Sequence, residues 1–141
     1  EGGLDVLGLK RRLEPILVKL KDAGIRVSLF IEAHPDQIRA SADLGADIIE
    51  LHTGRYCDLP AGVDRDTEYD RIRAAATLSQ SMGLECHAGH GLRFDNVAPI
   101  AALPEVVELN IGHFLIGEAV MMGLKPAIIE MRRLMNEARH R

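Results

Sequence analysis

Residues 47–53 read Asp47-Ile48-Ile49-Glu50-Leu51-His52-Thr53. The run is short, rich in β-branched residues and bounded by Gly45 and Gly54, so it forms a strand. Successive side chains of a strand face opposite ways. Ile49 and Leu51 therefore share one apolar face, while Ile48, Glu50 and His52 share the other. Three further runs behave alike. In residues 25–31, Val27, Leu29 and Ile31 oppose Ser28 and Phe30; in 84–89, Leu84, Cys86 and Ala88 oppose Glu85 and His87. In 106–111, Val107, Leu109 and Ile111 oppose Glu108 and Asn110. One face of the sheet is apolar throughout and the other carries polar groups. A doubly wound sheet, covered by helices on both sides, should be apolar on both. A barrel fits better, with helices outside and a semi-polar interior lined by Glu50, His52 and Asn110.

Helical spacing fills the gaps between strands. It predicts helices over 5–21, 35–44, 68–82, 96–103 and 112–122, and a last one ending near 138. Pro15 marks a point where the first could kink. Residues 54–67, polar and containing Pro60 and Gly62, read as a long loop. The triplets Ala23-Gly24-Ile25, Leu44-Gly45-Ala46 and Met82-Gly83-Leu84 repeat one device, a glycine ending a helix just before a strand. Strands alternating with helices imply βαβ units and a parallel sheet. A (β/α)8 barrel needs roughly 250 residues; 141 residues with four strands make about half of one.

Composition narrows the partners. Hydrophobic residues make up 47% and charged residues 27%, ordinary for a globular chain. Acidic residues outnumber basic ones 21 to 17, for a net charge of −4, which disfavours nucleic acid as the main partner. Cys57 and Cys86 are too few for a disulfide scaffold and point to a reducing compartment. No apolar run approaches the ~20 residues that span a bilayer. The opening residues lack a signal-peptide pattern and do not begin with Met, which suits a processed chain or a fragment.

Three constellations carry candidate chemistry. His87-Ala88-Gly89-His90-Gly91 ends the third strand and places His90 where a barrel keeps its reactive groups, with glycines that allow close approach of a ligand. A Gly-His-Gly turn is also simply a turn. Asn110-Ile111-Gly112-His113 runs a strand straight into a helix, whose unpaired N–H groups and positive dipole end suit a phosphate. The bland alternative is that Gly112 only permits tight strand–helix packing. Glu50 and His52 share a face and suit proton transfer, stabilisation of a cation, or no more than a satisfied polar pair. No ligand spacing supports a metal. Met121, Met122, Met131 and Met135 read as core, His34 as surface, and Cys57 as a thiol with no activating neighbour.

The stretches Glu1–Val6, Val27–Ile31, Glu50-Leu51-His52-Thr53-Gly54, Ala88-Gly89-His90-Gly91-Leu92 and Glu108–His113 together resemble, in order and spacing, the pyridoxine 5′-phosphate synthase family. The likeness covers essentially the whole chain but only the C-terminal part of that family's polypeptide. It implies a cytoplasmic (β/α)8 barrel, a transferase of vitamin B6 biosynthesis, assembled as a homo-octamer and needing no cofactor or metal. Its implied reaction condenses 3-amino-2-oxopropyl phosphate with 1-deoxy-D-xylulose 5-phosphate, giving pyridoxine 5′-phosphate, inorganic phosphate and water. By motif, His90 matches the family's proton donor and Glu50 its transition-state stabiliser. Gly91, Gly112 and His113 match residues that bind the amino-ketone phosphate. His87 stands where members usually carry Asn. The family's other general bases belong to strands that these residues do not include, so the segment alone is expected to be inactive. Competing readings are a non-catalytic phosphate-binding half-barrel, or another phosphosugar barrel enzyme. Against a Schiff-base aldolase stands the lack of a lysine on any of the four strands.

Overall fold

The computed structural model describes residues 2–140; Glu1, which belongs to the opening motif, and Arg141 lie outside them. Helix α1 (Val6–Asp22) precedes strand β1 (Ser28–Ile31), and α2 (Pro35–Asp43) leads to β2 (Ile48–His52). Two helices, α3 (Gly54–Asp58) and α4 (Val63–Ser81), precede β3 (Glu85–Gly89). Then come α5 (Val97–Ala101), β4 (Val106–Asn110), α6 (His113–Met122) and α7 (Leu124–Arg139). The four strands lie parallel in the order β1-β2-β3-β4. A sheet built in chain order, with a helical crossover at each step, is a partial (β/α)8 barrel.

The strand faces separate as their alternation dictates. Leu29, Ile49, Cys86 and Val106 form one paired row, and Ile31, Leu51, Ala88 and Leu109 form another. Onto these rows pack Val6 and Leu17 of α1, Ile38 of α2, Ile72, Ala75 and Ala76 of α4, and Ile100 of α5. Ile31, Ile49, Leu51 and Ile72 are fully buried. Truncating any of them to Ala typically costs about 2–5 kcal/mol. The opposite rows, Ser28–Ile48–Glu85 and Phe30–Glu50–His87–Glu108, remain partly open. Ser28 and Glu108 are exposed, and Phe30, Glu50 and Glu85 are half-buried.

Three expectations change. The supposed loop 54–67 contains α3 and the first turn of α4, because Thr53 and Gly62 open helices that Pro60 merely separates. In β4 the pairing jumps from Val106 opposite Cys86 to Glu108 opposite His87. Val107 is thus the extra residue of a bulge and is 63% exposed, leaving Val106 to fill the core. Met121 and Met122 are surface residues, not core, since α6 buries none of its side chains. Helix α1 is continuous through Pro15. The glycine device holds: Gly24, Gly45 and Gly83 take φ of 73°, 73° and 77°. Among the described residues no helix is long and apolar enough to cross a membrane.

Candidate active site

All five candidate residues, Glu50, His90, Gly91, Gly112 and His113, line one open cleft of about 840 Å³ at the carboxyl ends of the strands. Phe30, Arg93 and Asn110 complete much of its wall. This is the rim on which barrels assemble their reactive groups.

His90 sits one residue past β3, with φ 78°, the one non-glycine residue with positive φ among those described. A left-handed backbone costs an L-residue about 1–2 kcal/mol, so the surroundings must hold it. Gly91 continues the turn at φ 80°. A Cβ placed on Gly91 would meet Cβ of Cys57 at 2.9 Å, so this glycine answers to both backbone and space.

Glu50 projects from the middle of β2. Its Oε2 accepts a hydrogen bond of 2.9 Å from Nδ2 of Asn110. Burial pushes its carboxyl above the usual glutamate range, with the Asn110 bond opposing that push and Glu108 adding to it. His87, next to Glu50 in the register, is clasped by two other carboxylates. Its Nε2 lies 2.8 Å from Glu85, and its Nδ1 3.3 Å from Glu108. Glu85 is held below its ordinary range, first by the hydrogen bond from Arg26 and then by that with His87.

Glu50 and His52 are not partners, although both project from β2. His52 is buried with Nδ1 3.6 Å from Glu32, and its ring stacks on His90. Glu32 in turn lies 3.6 Å from Arg71, which binds the buried Glu68 at 2.8 Å. A line of alternating charges thus anchors His52 from behind.

Helix α6 begins at His113 with no side chain capping it, and Gly112, His113 and Phe114 line the cleft. The first N–H groups of a helix have no partner within it and carry its positive dipole end. A Cβ on Gly112 would meet nothing within 4 Å among the described residues. Tight packing therefore does not explain this glycine, whereas exposed amide hydrogens remain a reason for it.

Sequence reasoning gave no site role to Arg93 or Thr53, and no role of its own to Asn110. Asn110 was visible as a polar residue on an interior face. Arg93 reaches the cleft only because the segment after His90 folds back, its N–H donating to Asn96 Oδ1 at 2.6 Å. Burial pushes the Cys57 thiol up to about 11, outweighing the hydrogen bond with Thr53 and the charges of Arg93 and Arg65, which lower it. No group of three or more His, Cys, Asp or Glu among the described residues is placed to hold a metal ion.

Known proteins resemble this chain along nearly its whole length. Residues 1–137 match the family model described as pyridoxal phosphate biosynthesis protein PdxJ. The chain is 59% identical to a protein of Jannaschia sp. (strain CCS1) named pyridoxine 5′-phosphate synthase, over 99% of this chain and 57% of that protein. A protein of the same name from Rhodospirillum rubrum is 56% identical, over 98% of this chain and 55% of its own. One from Caulobacter vibrioides is 52% identical, over 99% and 56%. The chain thus spans little more than half the length of the curated relatives it matches. With four parallel strands, a strand-end histidine and a match over nearly every residue, the chain belongs to the PdxJ family of pyridoxal phosphate biosynthesis proteins.

Proposed function

We propose that this chain is the C-terminal half of a (β/α)8-barrel pyridoxine 5′-phosphate synthase. The reaction joins 3-amino-2-oxopropyl phosphate to 1-deoxy-D-xylulose 5-phosphate and releases inorganic phosphate and water. The observation that carries this reading is the convergence of Glu50, His90, Gly91, Gly112 and His113 on one cleft in a member of this family.

Ring closure proceeds through imine formation, loss of water and loss of phosphate, each needing a proton delivered or removed. His90, exposed at the strand tip, serves as the acid that protonates a departing oxygen. Glu50 is fixed by Asn110 and stabilises positive charge on the iminium nitrogen. The amides of Gly91, Gly112 and His113 hold the phosphate of the amino ketone, assisted by the α6 dipole. One imidazole and one carboxylate do not supply every proton transfer, so the chain alone turns nothing over. The remaining bases come from the other half of the barrel, in a cytoplasmic homo-octamer.

The test is an assay of the purified chain alone, and then mixed with the complementary segment of the Jannaschia relative. Product forms only in the mixture, and His90→Ala abolishes it. Turnover by the chain alone, or undiminished turnover with His90→Ala, overturns the assignment. Phosphate binding without turnover in the mixture would instead identify a phosphate-binding half-barrel, a reading favoured by the presence of α6 and Gly91 on one chain.

A further inference from the structure

The left-handed turn at His90 has a specific support. Thr53, 0% exposed at the end of β2, places its hydroxyl oxygen 2.8 Å from the carbonyl oxygen of Gly89 and 2.6 Å from that of His90. Its single proton serves one of the two acceptors at a time or is shared between them. The Thr53 N–H also donates to Gly89 O, at 2.9 Å. One turn along α3, Cys57 donates its S–H to the same His90 carbonyl at 3.6 Å and packs beneath Gly91. Gly54 lets this turn approach: a Cβ there would meet His90 Cδ2 at 3.0 Å and His52 Cε1 at 2.5 Å.

A residue left to itself leaves the left-handed region, because that region costs about 1–2 kcal/mol. Leaving it would swing the His90 imidazole off the ring of His52 and carry Gly91 away from Cys57. A buried hydroxyl shared between two successive carbonyls offsets much of a cost of that size, since one such bond contributes about 0.5–1.5 kcal/mol. The bonds are made to the backbone on either side of the strained peptide, so they act on its conformation directly. Valine, the isostere without the hydroxyl, would withdraw that donor from both carbonyls, leaving Gly89 O the Thr53 N–H and His90 O the weaker S–H of Cys57.

We infer that Thr53 is a positioning residue: its hydroxyl locks the Gly89–His90–Gly91 turn and so aims the His90 imidazole and the Gly91 amide into the cleft. The inference rests on the proposed role of His90 and Gly91 for its functional meaning, though the lock itself is a property of this chain.

The experiment compares Thr53→Val and Thr53→Ser in the isotopically labelled 141-residue chain by NMR. The readouts are the amide and ring signals of residues 89–91, the contact between the His90 and His52 rings, and titration with inorganic phosphate. Thr53→Ser keeps the wild-type His90 signals and phosphate affinity. Thr53→Val loses the ring contact, moves the 89–91 amides and weakens phosphate about tenfold, equivalent to ~1.4 kcal/mol, while signals of α6 and α7 stay in place. If Thr53→Val does not fold, Thr53→Ser decides: preserved His90 signals support the hydroxyl lock and displaced ones overturn it. A Thr53→Val chain with an unmoved His90 also overturns it. Should wild type show no phosphate-induced shift at Gly91, Gly112 or His113, the phosphate reading fails, while the ring contact and the 89–91 amides still judge the lock.

Discussion

The imidazole of His52 lies face to face with that of His90, the ring centroids 4.7 Å apart and the planes 21° from parallel. Phe30 leans against both, 5.1 Å from His52 and 6.5 Å from His90. His52 is the buried member, tied to Glu32; His90 is exposed. The pair therefore works as a platform and the ring that rests on it.

Replacing the platform separates packing from charge. His52→Ala removes a ring contact of about 0.5–1.5 kcal/mol and leaves a gap under His90. His52→Phe restores a ring but not the approach to Glu32. Thermal unfolding and the His90 ring signals check this. Alanine lowers Tm and frees the His90 ring, and phenylalanine recovers most of the ring order. Equal disorder in both variants would mean that the contact with Glu32, rather than the ring, seats His90.

The two glycines of the site make opposite demands. Gly91→Ala meets both a positive φ and the Cβ of Cys57 at 2.9 Å, and should cost at least about 2 kcal/mol. Gly112→Ala has φ −109° and open space around it, so its stability should stay within about 0.5 kcal/mol of wild type. Urea unfolding of the two variants checks the contrast, and similar losses in both would refute it.

These particulars show what the sequence could and could not reveal. Alternation in β2 placed Glu50 and His52 on the interior face, because one period governs a whole strand. It did not show that they part company, Glu50 to Asn110 and His52 to Glu32, since a side chain's partner depends on its neighbours' register. In β4 a single extra residue shifted the alternation, and no local signal marks Val107 as a bulge. His90 was legible as the residue between two glycines. Its left-handed turn was not, because Thr53, which holds it, lies far off in the chain, between β2 and α3.

The cysteines should be inert in the folded chain. Burial pushes the Cys57 thiol up to about 11 and the Cys86 thiol to about 12. Only the thiolate reacts with alkylating reagents, and it is scarce when the pKa lies so far above neutral. Iodoacetamide at neutral pH should modify neither residue in buffer and both in concentrated urea, as read by intact mass. Rapid labelling of Cys57 in buffer would show that α3 opens readily.

Helix α6 exposes an apolar surface that the described residues do not cover. Val120 is 81% and Met121 86% exposed, with Ile116 close behind. Such a patch, beside the open edge strand β4, drives association of the isolated chain. Because these side chains bury almost nothing, Val120→Glu with Met121→Lys should leave Tm unchanged while lowering the average mass seen by light scattering. A large fall in Tm would instead reveal that the helix depends on contacts its exposure does not suggest.

Glu50 links stability to the proposed chemistry. Burial is the largest influence on its carboxyl and raises its folded pKa above the ordinary 4.5, against the opposing bond from Asn110. A carboxyl with a raised folded pKa holds its proton more tightly in the native state than in the unfolded one. Its contribution to stability is fully present below the unfolded pKa and is lost as pH rises through the folded pKa. At neutral pH the ionised side chain therefore strains the fold. Glu50→Gln keeps an acceptor for Asn110 Nδ2 and carries no charge. The variant should be more stable than wild type at neutral pH, and the two should converge below about pH 4.5. Urea unfolding across that range checks the sign, and a variant less stable at neutral pH would contradict it. In a barrel completed with the complementary segment, the same substitution should abolish synthesis, since an amide cannot neutralise an iminium. A gain in stability joined to a loss of activity is what a strained, functional carboxylate predicts, and one without a catalytic role predicts the gain alone.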